Sequence, residues 1–152
     1  MSELATRLLD DLKDAMRSSD VTRRETLRFL RSDIHNQEIE RGRALTDPEI
    51  VQVVQRQIKQ RRDSIEQFGR GGRQDLVAAE EAQIGVLEAY LPPQRSYDEV
   101  LDEARAVVRE LGASGPRDMG RVMPVLRQRL GPSAEGSVVA AAAREALSAS
   151  GA

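Results

Sequence analysis

Leu91-Pro92-Pro93 stops one stretch of helical periodicity, and a second stretch begins after Ser96. Proline has no amide hydrogen and disfavours helix at the residue before it. No helix in this chain of 152 residues is therefore expected to cross that point. The break predicts an N-terminal helical domain over residues 1–92 and a smaller tail domain over 96–152. A tail of that size buries little apolar surface, so its stability alone would be marginal.

On either side of the break, apolar residues recur at i, i+3, i+4 and i+7, the spacing of one helix face. Leu4, Leu8, Leu12 and Ala15/Met16 mark a first helix over about 3–17. Asp20 is placed to cap a second, which carries Leu27, Leu30 and Ile34 and stops near Gly42. Thr46-Asp47-Pro48-Glu49 is a capping box with an early proline. It opens a third helix whose expected buried side is Val51, Val54, Ile58, Ile65 and Phe68. A fourth runs from about Arg73 to Leu91. Ser96-Tyr97-Asp98-Glu99 is a second capping box, launching a fifth helix with Val100, Ala104, Val107 and Leu111. The sixth follows Gly115-Pro116 and is expected to be interrupted or kinked near Pro124. The seventh is alanine-rich and follows Glu135. Aromatic residues make up only 3% of the chain and tryptophan is absent. The core must then be built from Leu, Ile, Val, Ala and Met, which suits packed helices better than a sheet sandwich. The expected fold class is all-α, four helices followed by a three-helix tail.

Several function classes fall away. The absence of cysteine excludes disulfides, thiolate metal sites and cysteine nucleophiles. One histidine, His35, excludes a multi-histidine metal site. Gly69-Arg70-Gly71-Gly72-Arg73 lacks the Lys-Ser/Thr of a phosphate loop, and Ser64, Ser133 and Ser137 lie in no nucleophile elbow. Glu80-Glu81 reads as a solvated or capping pair rather than an acid–base dyad. No catalytic residue, cofactor or metal is expected. The start, Met1-Ser2-Glu3-Leu4, lacks a basic segment followed by an apolar run. No apolar run approaches the roughly 20 residues of a membrane span. These features point to a cytoplasmic chain with no membrane partner.

The remaining chemistry is basic. A net charge of −2 gives no global attraction to nucleic acid, so local clusters must supply it. Arg24, Arg28, Arg31 and His35 share one helical stripe, either as a solvated face or as phosphate contacts. Arg56, Lys59, Arg61, Arg62, Arg70 and Arg73 against Asp63 and Glu66 leave +4 over eighteen residues. Arg117, Arg121, Arg127 and Arg129 leave +3 after Asp118. Clusters of this kind bind phosphates. Without interleaved aromatics, base stacking on single strands is not expected, leaving recognition of a folded RNA by backbone and shape. Gly120 and Gly136 fit this in one of two ways, by letting a partner approach the backbone or by letting helices pack closely.

The order of motifs resembles the YqeY-like proteins over nearly the whole chain. The resemblance rests on Arg28-x-Leu30 with Asn36-x-Glu38-Ile39, Arg61-x-Asp63-Ser64, Arg73-x-Asp75-Leu76 with Glu80, and Tyr90-Leu91-Pro92. It continues through Asp118-Met119-Gly120-x-Val122-Met123 and Gly131-x-x-Ala134-x-Gly136. Gln83 stands where the family commonly has glutamate, Arg121 where it has lysine, Glu135 where it has aspartate, and Ser137 where it often has lysine. The tail is similar to that of the B subunit of the tRNA-dependent Asp/Glu-tRNA amidotransferase. The resemblance implies an all-α fold, a tail that helps hold tRNA, and a link to carbon–nitrogen ligases with glutamine as amide donor. The residues themselves offer neither a glutamine-hydrolysing nucleophile nor an ATP phosphate loop.

The leading expectation is a non-catalytic module that binds tRNA or associates with amidotransferase subunits. Its expected RNA contacts are Arg117, Gly120, Arg121, Arg127, Arg129 and Gly136 in the tail, with Arg56, Lys59, Arg61, Arg62 and Arg73 in the N-terminal part. The alternative is a helical protein-interaction adaptor that binds no RNA. An enzyme is the third and weakest reading.

Overall fold

The computed structural model describes residues 2–150, which form seven α-helices, two single-turn 3₁₀ helices and, among the described residues, no strand. The chain separates into two compact units at the Leu91–Pro92 bond.

The first unit holds α1 (Glu3–Ser18), α2 (Val21–Arg41), α3 (Asp47–Arg70) and α4 (Gln74–Glu88). Local side chains set where three of these begin. Ser2 Oγ accepts from the Ala5 amide, and the Asp20 carboxylate accepts from the Arg23 amide. Thr46 and Glu49 complete both halves of their capping box. The core gathers Leu8, Leu12, Leu27, Leu30, Ile34, Ile50, Val53, Val54, Ile58, Ile84, Leu87 and Tyr90. Each such aliphatic side chain contributes about 1.5–3 kcal/mol on burial.

The α1 stripe closes on Ala15, which is fully buried, whereas Met16 is 52% exposed. On α3 the buried face is Ile50, Val53, Val54, Gln57 and Ile58, while Val51 and Phe68 are only partly covered. The helix is rotated from the expected setting because Gln57, a polar residue at 1% exposure, occupies a core position that an apolar count passes over. Helix α4 stops at Glu88 rather than Leu91. The Tyr90 and Leu91 amides turn back to the Leu87 and Glu88 carbonyls, tightening the chain ahead of Pro92.

The second unit holds α5 (Tyr97–Leu111), α6 (Met119–Leu130) and α7 (Gly136–Ser150), with 3₁₀ turns at Pro116–Asp118 and Gly131–Ser133. Helix α5 begins at the Ser96/Glu99 capping box. Val100, Ala104, Val107, Val122, Leu126, Ala142, Ala143 and Leu147 are sealed from solvent at its centre. The alanines of α7 let α5 and α6 pack closely against it. The expected break at Pro124 does not occur, and α6 runs through it. Pro124 is exposed and sits in the second turn, so the only backbone bond it removes is one to Gly120 in the first turn.

Candidate functional site

In the second unit, charge is sorted by helix. Helix α6 carries Arg121, Arg127 and Arg129 and no carboxylate, whereas α5 carries Asp98, Glu99, Asp102, Glu103 and Glu110 against Arg105 and Arg109. The four tail arginines expected to contact RNA have different surroundings. Arg121 turns back on its own unit, with Nε 3.3 Å from Asp118 Oδ1 and Nη1 donating to the Leu111 carbonyl at 3.4 Å. Asp118 also accepts from the Ser114 amide at 2.7 Å. That amide first, and then Arg121, hold the Asp118 carboxyl below the usual carboxylate range. Arg129 pairs with Glu110, with Nη1 donating to Oε1 at 3.2 Å, and holds that carboxyl low. Arg117 and Arg127 are exposed and have no ion-pair partner among the described residues. Arg105 and Arg109 on α5 and Arg144 on α7 are likewise exposed with no ion-pair partner among the described residues, but only Arg117 and Arg127 flank the open face of α6.

The two tail glycines also stand clear. Gly120 lies in the first turn of α6, and Gly136 opens α7. A Cβ added at either would meet nothing within 4 Å, so close helix packing does not require glycine at either position. Gly131 differs. Its φ of 53° and ψ of −140° end α6 in a conformation that a side chain would strain. On α6, Gly120, Pro124 and Arg127 lie at i, i+4 and i+7 and form one exposed face with little side-chain cover at its start.

The basic cluster of the first unit is largely neutralised. Arg56 pairs with Asp33 at 3.3 Å, Arg62 with Glu88 at 3.6 Å and Arg73 with Asp75 at 2.9 Å, and Arg70 pairs with Glu66. Arg61 is drawn inward. It donates to Glu80 at 3.2 Å, with the two side chains only 15% and 19% exposed. Lys59 alone of the six is exposed with no ion-pair partner among the described residues. Of the α2 stripe, Arg24 and Arg28 both pair with Glu25, while Arg31 and His35 are exposed.

Arg61 and Glu80 belong to an open cleft of about 620 Å³ between faces of α2, α3 and α4. Sequence reasoning singled out Arg28, Arg61, Ser64, Glu80 and Gln83 but passed over the other lining residues, Phe29 and Gln57 among them. The signal was present in the spacing. Glu25, Arg28, Phe29 and Ser32 on α2 lie at i, i+3, i+4 and i+7, as do Gln57, Gln60, Arg61 and Ser64 on α3. Such spacing usually marks an apolar core face, and here it aligns polar groups.

Among the described residues, no group of three or more His, Asp or Glu side chains is placed to hold a metal ion. No described helix is long and apolar enough to cross a membrane.

Comparison with known proteins places these features in a family. A family model described as "Yqey-like protein" matches residues 5–147. A protein from Pyrenophora tritici-repentis, named altered inheritance of mitochondria protein 41, mitochondrial, is 35% identical over 81% of this chain and 71% of its own length. The protein of the same name from Lachancea thermotolerans is 38% identical over 72% of this chain and 60% of its own length. A Schizosaccharomyces pombe protein named as uncharacterized is 36% identical over 59% of this chain and 70% of its own length. The match thus spans only about six-tenths of some of these longer relatives. The expected cytoplasmic placement is overturned, because relatives matched across most of the chain are named mitochondrial. The physical reason is that targeting segments are separate from the folded body, so composition and helix pattern carry no compartment address.

Proposed function

The chain belongs to the YqeY-like family, and from that premise we propose that its tail is a non-catalytic module that binds the backbone of a folded RNA. The family's likeness to an amidotransferase tail makes tRNA the expected target. Treating 1–92 and 96–152 as separately folding domains is part of the same reading.

The observation that carries it is the exposed face at the start of α6. Gly120 is glycine where nothing in the unit asks for it, between Arg117 and Arg127, whose guanidinium groups have no ion-pair partner among the described residues, while Gly136, equally uncrowded, opens α7. Bare backbone lets a ribose–phosphate chain approach closely, and the arginines supply charge-assisted bonds to phosphate. Arg121 and Arg129 act differently in this reading. Their pairs with Asp118 and Glu110 brace the unit and place the other two. The N-terminal cations play a lesser part, since most are spent on ion pairs.

Titration of the full chain with bulk tRNA from about 50 to 200 mM salt tests this. Arg117→Ala combined with Arg127→Ala should weaken binding and lower the salt slope by about 1.5, at roughly 0.7–0.9 per phosphate lost. Unchanged affinity and slope would remove the tail from consideration.

A second reading, as a protein-interaction adaptor, is favoured by Met16 and Val21, which are 52% and 56% exposed on either side of the α1–α2 turn. It requires a protein partner whose association survives nuclease treatment. Amidotransferase subunits are the partners the family resemblance suggests.

A further inference from the structure

The cleft in the first unit holds a combination of groups that the RNA-binding tail does not use. Its charges cancel in pairs. Arg28 lies 3.4 Å from Glu25, and Arg61 lies 3.2 Å from Glu80. With Arg28 and Arg61 already on carboxylates, a polyphosphate or an amino-acid zwitterion would have to break these pairs to bind. Apart from the buried Arg61 Nε, which has no hydrogen-bond partner, what remains unspent is neutral. Gln57 uses its Nε2 on Asp33 at 3.0 Å, while its Oε1 is buried without a partner. The side-chain amides of Gln60 and Gln83, at the same cleft, have no hydrogen-bond partner among the described residues.

Phe29 supplies the other half. A phenylalanine ring left 55% exposed forgoes burial energy unless something covers it. The Arg61 guanidinium lies 5.8 Å from the ring centroid. The cation enriches the stack, and the exposed part of the ring is left for a further planar group. Glutamine amides present a donor and an acceptor side by side, which matches the adjacent donor and acceptor on the edge of a base. A flat apolar platform beside such amides is how proteins hold unstacked bases. The volume is within the range of small-ligand sites.

We propose that this cleft binds a single unstacked nucleobase, laid on Phe29 and bonded at its edge by glutamine amides. The site stands on residues of the first unit alone and does not depend on what the tail binds. A base with this chemistry comes either from a free nucleoside or from an unpaired position in an RNA.

The test is NMR titration of the full chain, observing the Phe29 ring protons and the glutamine side-chain amides. The probes are adenosine, guanosine, cytidine and uridine, then an unstructured RNA oligonucleotide and bulk tRNA. Stacking should move the Phe29 ring protons, and edge bonding should move the Gln57, Gln60 or Gln83 amides. Nucleoside binding should be insensitive to salt. Phe29→Ala, a surface change that leaves the core intact, should weaken binding at least tenfold, and Phe29→Tyr should restore it. Response to nucleosides assigns the source as a free small molecule, and response to RNA alone assigns it as an unpaired base. Both support the site. Absence of any Phe29 shift, equal binding by Phe29→Ala, or the same shifts produced only by free amino acids would overturn it. Arg117→Ala with Arg127→Ala should leave the Phe29 shifts in place, which separates failure of this site from failure of the tail.

Discussion

Pro124 follows Gly120 by four residues in an unbroken α6, so the Gly120 carbonyl receives no hydrogen bond from the residue that would ordinarily supply it. The same two residues face solvent, and one of them has no side chain. A proline that breaks the ladder inside a helix costs about 3 kcal/mol or more. Placed in the second turn, it releases a carbonyl at a point where a glycine already exposes the backbone. The pair marks the beginning of the α6 face that continues to Arg127.

Gly120→Ala therefore separates folding from binding. The added methyl meets nothing within 4 Å, so helix propensity should raise stability by about 0.5–1 kcal/mol. If RNA approaches this backbone, the same methyl should reduce tRNA affinity. Thermal melts and tRNA titrations on one preparation would show both. Higher stability with undiminished affinity would mean that no partner touches Gly120.

Gly131→Ala should behave in the opposite way. Its φ of 53° with ψ of −140° lies where a Cβ is strained, at a cost of about 1–3 kcal/mol. Urea unfolding should show a lower midpoint with little change in slope. A stability equal to that of the parent chain would show that the turn after α6 can relax.

Tyr90 ties the end of α4 to α1. It is 3% exposed, its hydroxyl donates to Asp11, and the Arg7 guanidinium lies 4.8 Å from its ring. Tyr90→Phe should cost about 0.5–1.5 kcal/mol, the net worth of one such bond. Burial first, and then the bond to Asp11, push the Tyr90 hydroxyl up from its ordinary value. The unfolded tyrosine thus ionises before the folded one. This contribution is full below about pH 10 and is lost as pH rises beyond it. Chemical denaturation between neutral and alkaline pH should show a shallower decline in Tyr90→Phe. Tyr97 is shifted the same way by its bond to Glu145, and Tyr97→Phe serves as the exposed comparison.

Asp118 governs the acid side of the tail. The Ser114 amide and Arg121 hold its carboxyl low, so its contribution is present above the ordinary aspartate value near 4 and fades as pH falls below it. In acid titrations followed by circular dichroism, Asp118→Asn should lose helix with a weaker pH dependence than the parent. Glu99 and Glu110 are also held low, so the dependence should diminish without vanishing. An unaltered acid transition would mean that the Asp118 bonds do not persist in solution.

The amino-acid sequence by itself determined the all-α class, the seven helices and the starts of α2, α3 and α5. It did so because the responsible contacts reach no further than one turn. Thr46 meets Glu49, Ser96 meets Glu99, and Asp20 meets the Arg23 amide, each three residues away. The motifs that mark the family were legible in the same linear way. Tertiary structure alone decided which arginines remain available. Arg61 finds Glu80 nineteen residues on, Arg129 finds Glu110 nineteen residues back, and Arg56 finds Asp33 twenty-three residues back. It also decided that Gln57 takes a core position and that Phe29 faces a cleft. Those outcomes depend on how each helix is rotated about its own axis. That rotation is set by the combined packing of side chains from several helices, and no stretch of one helix carries it.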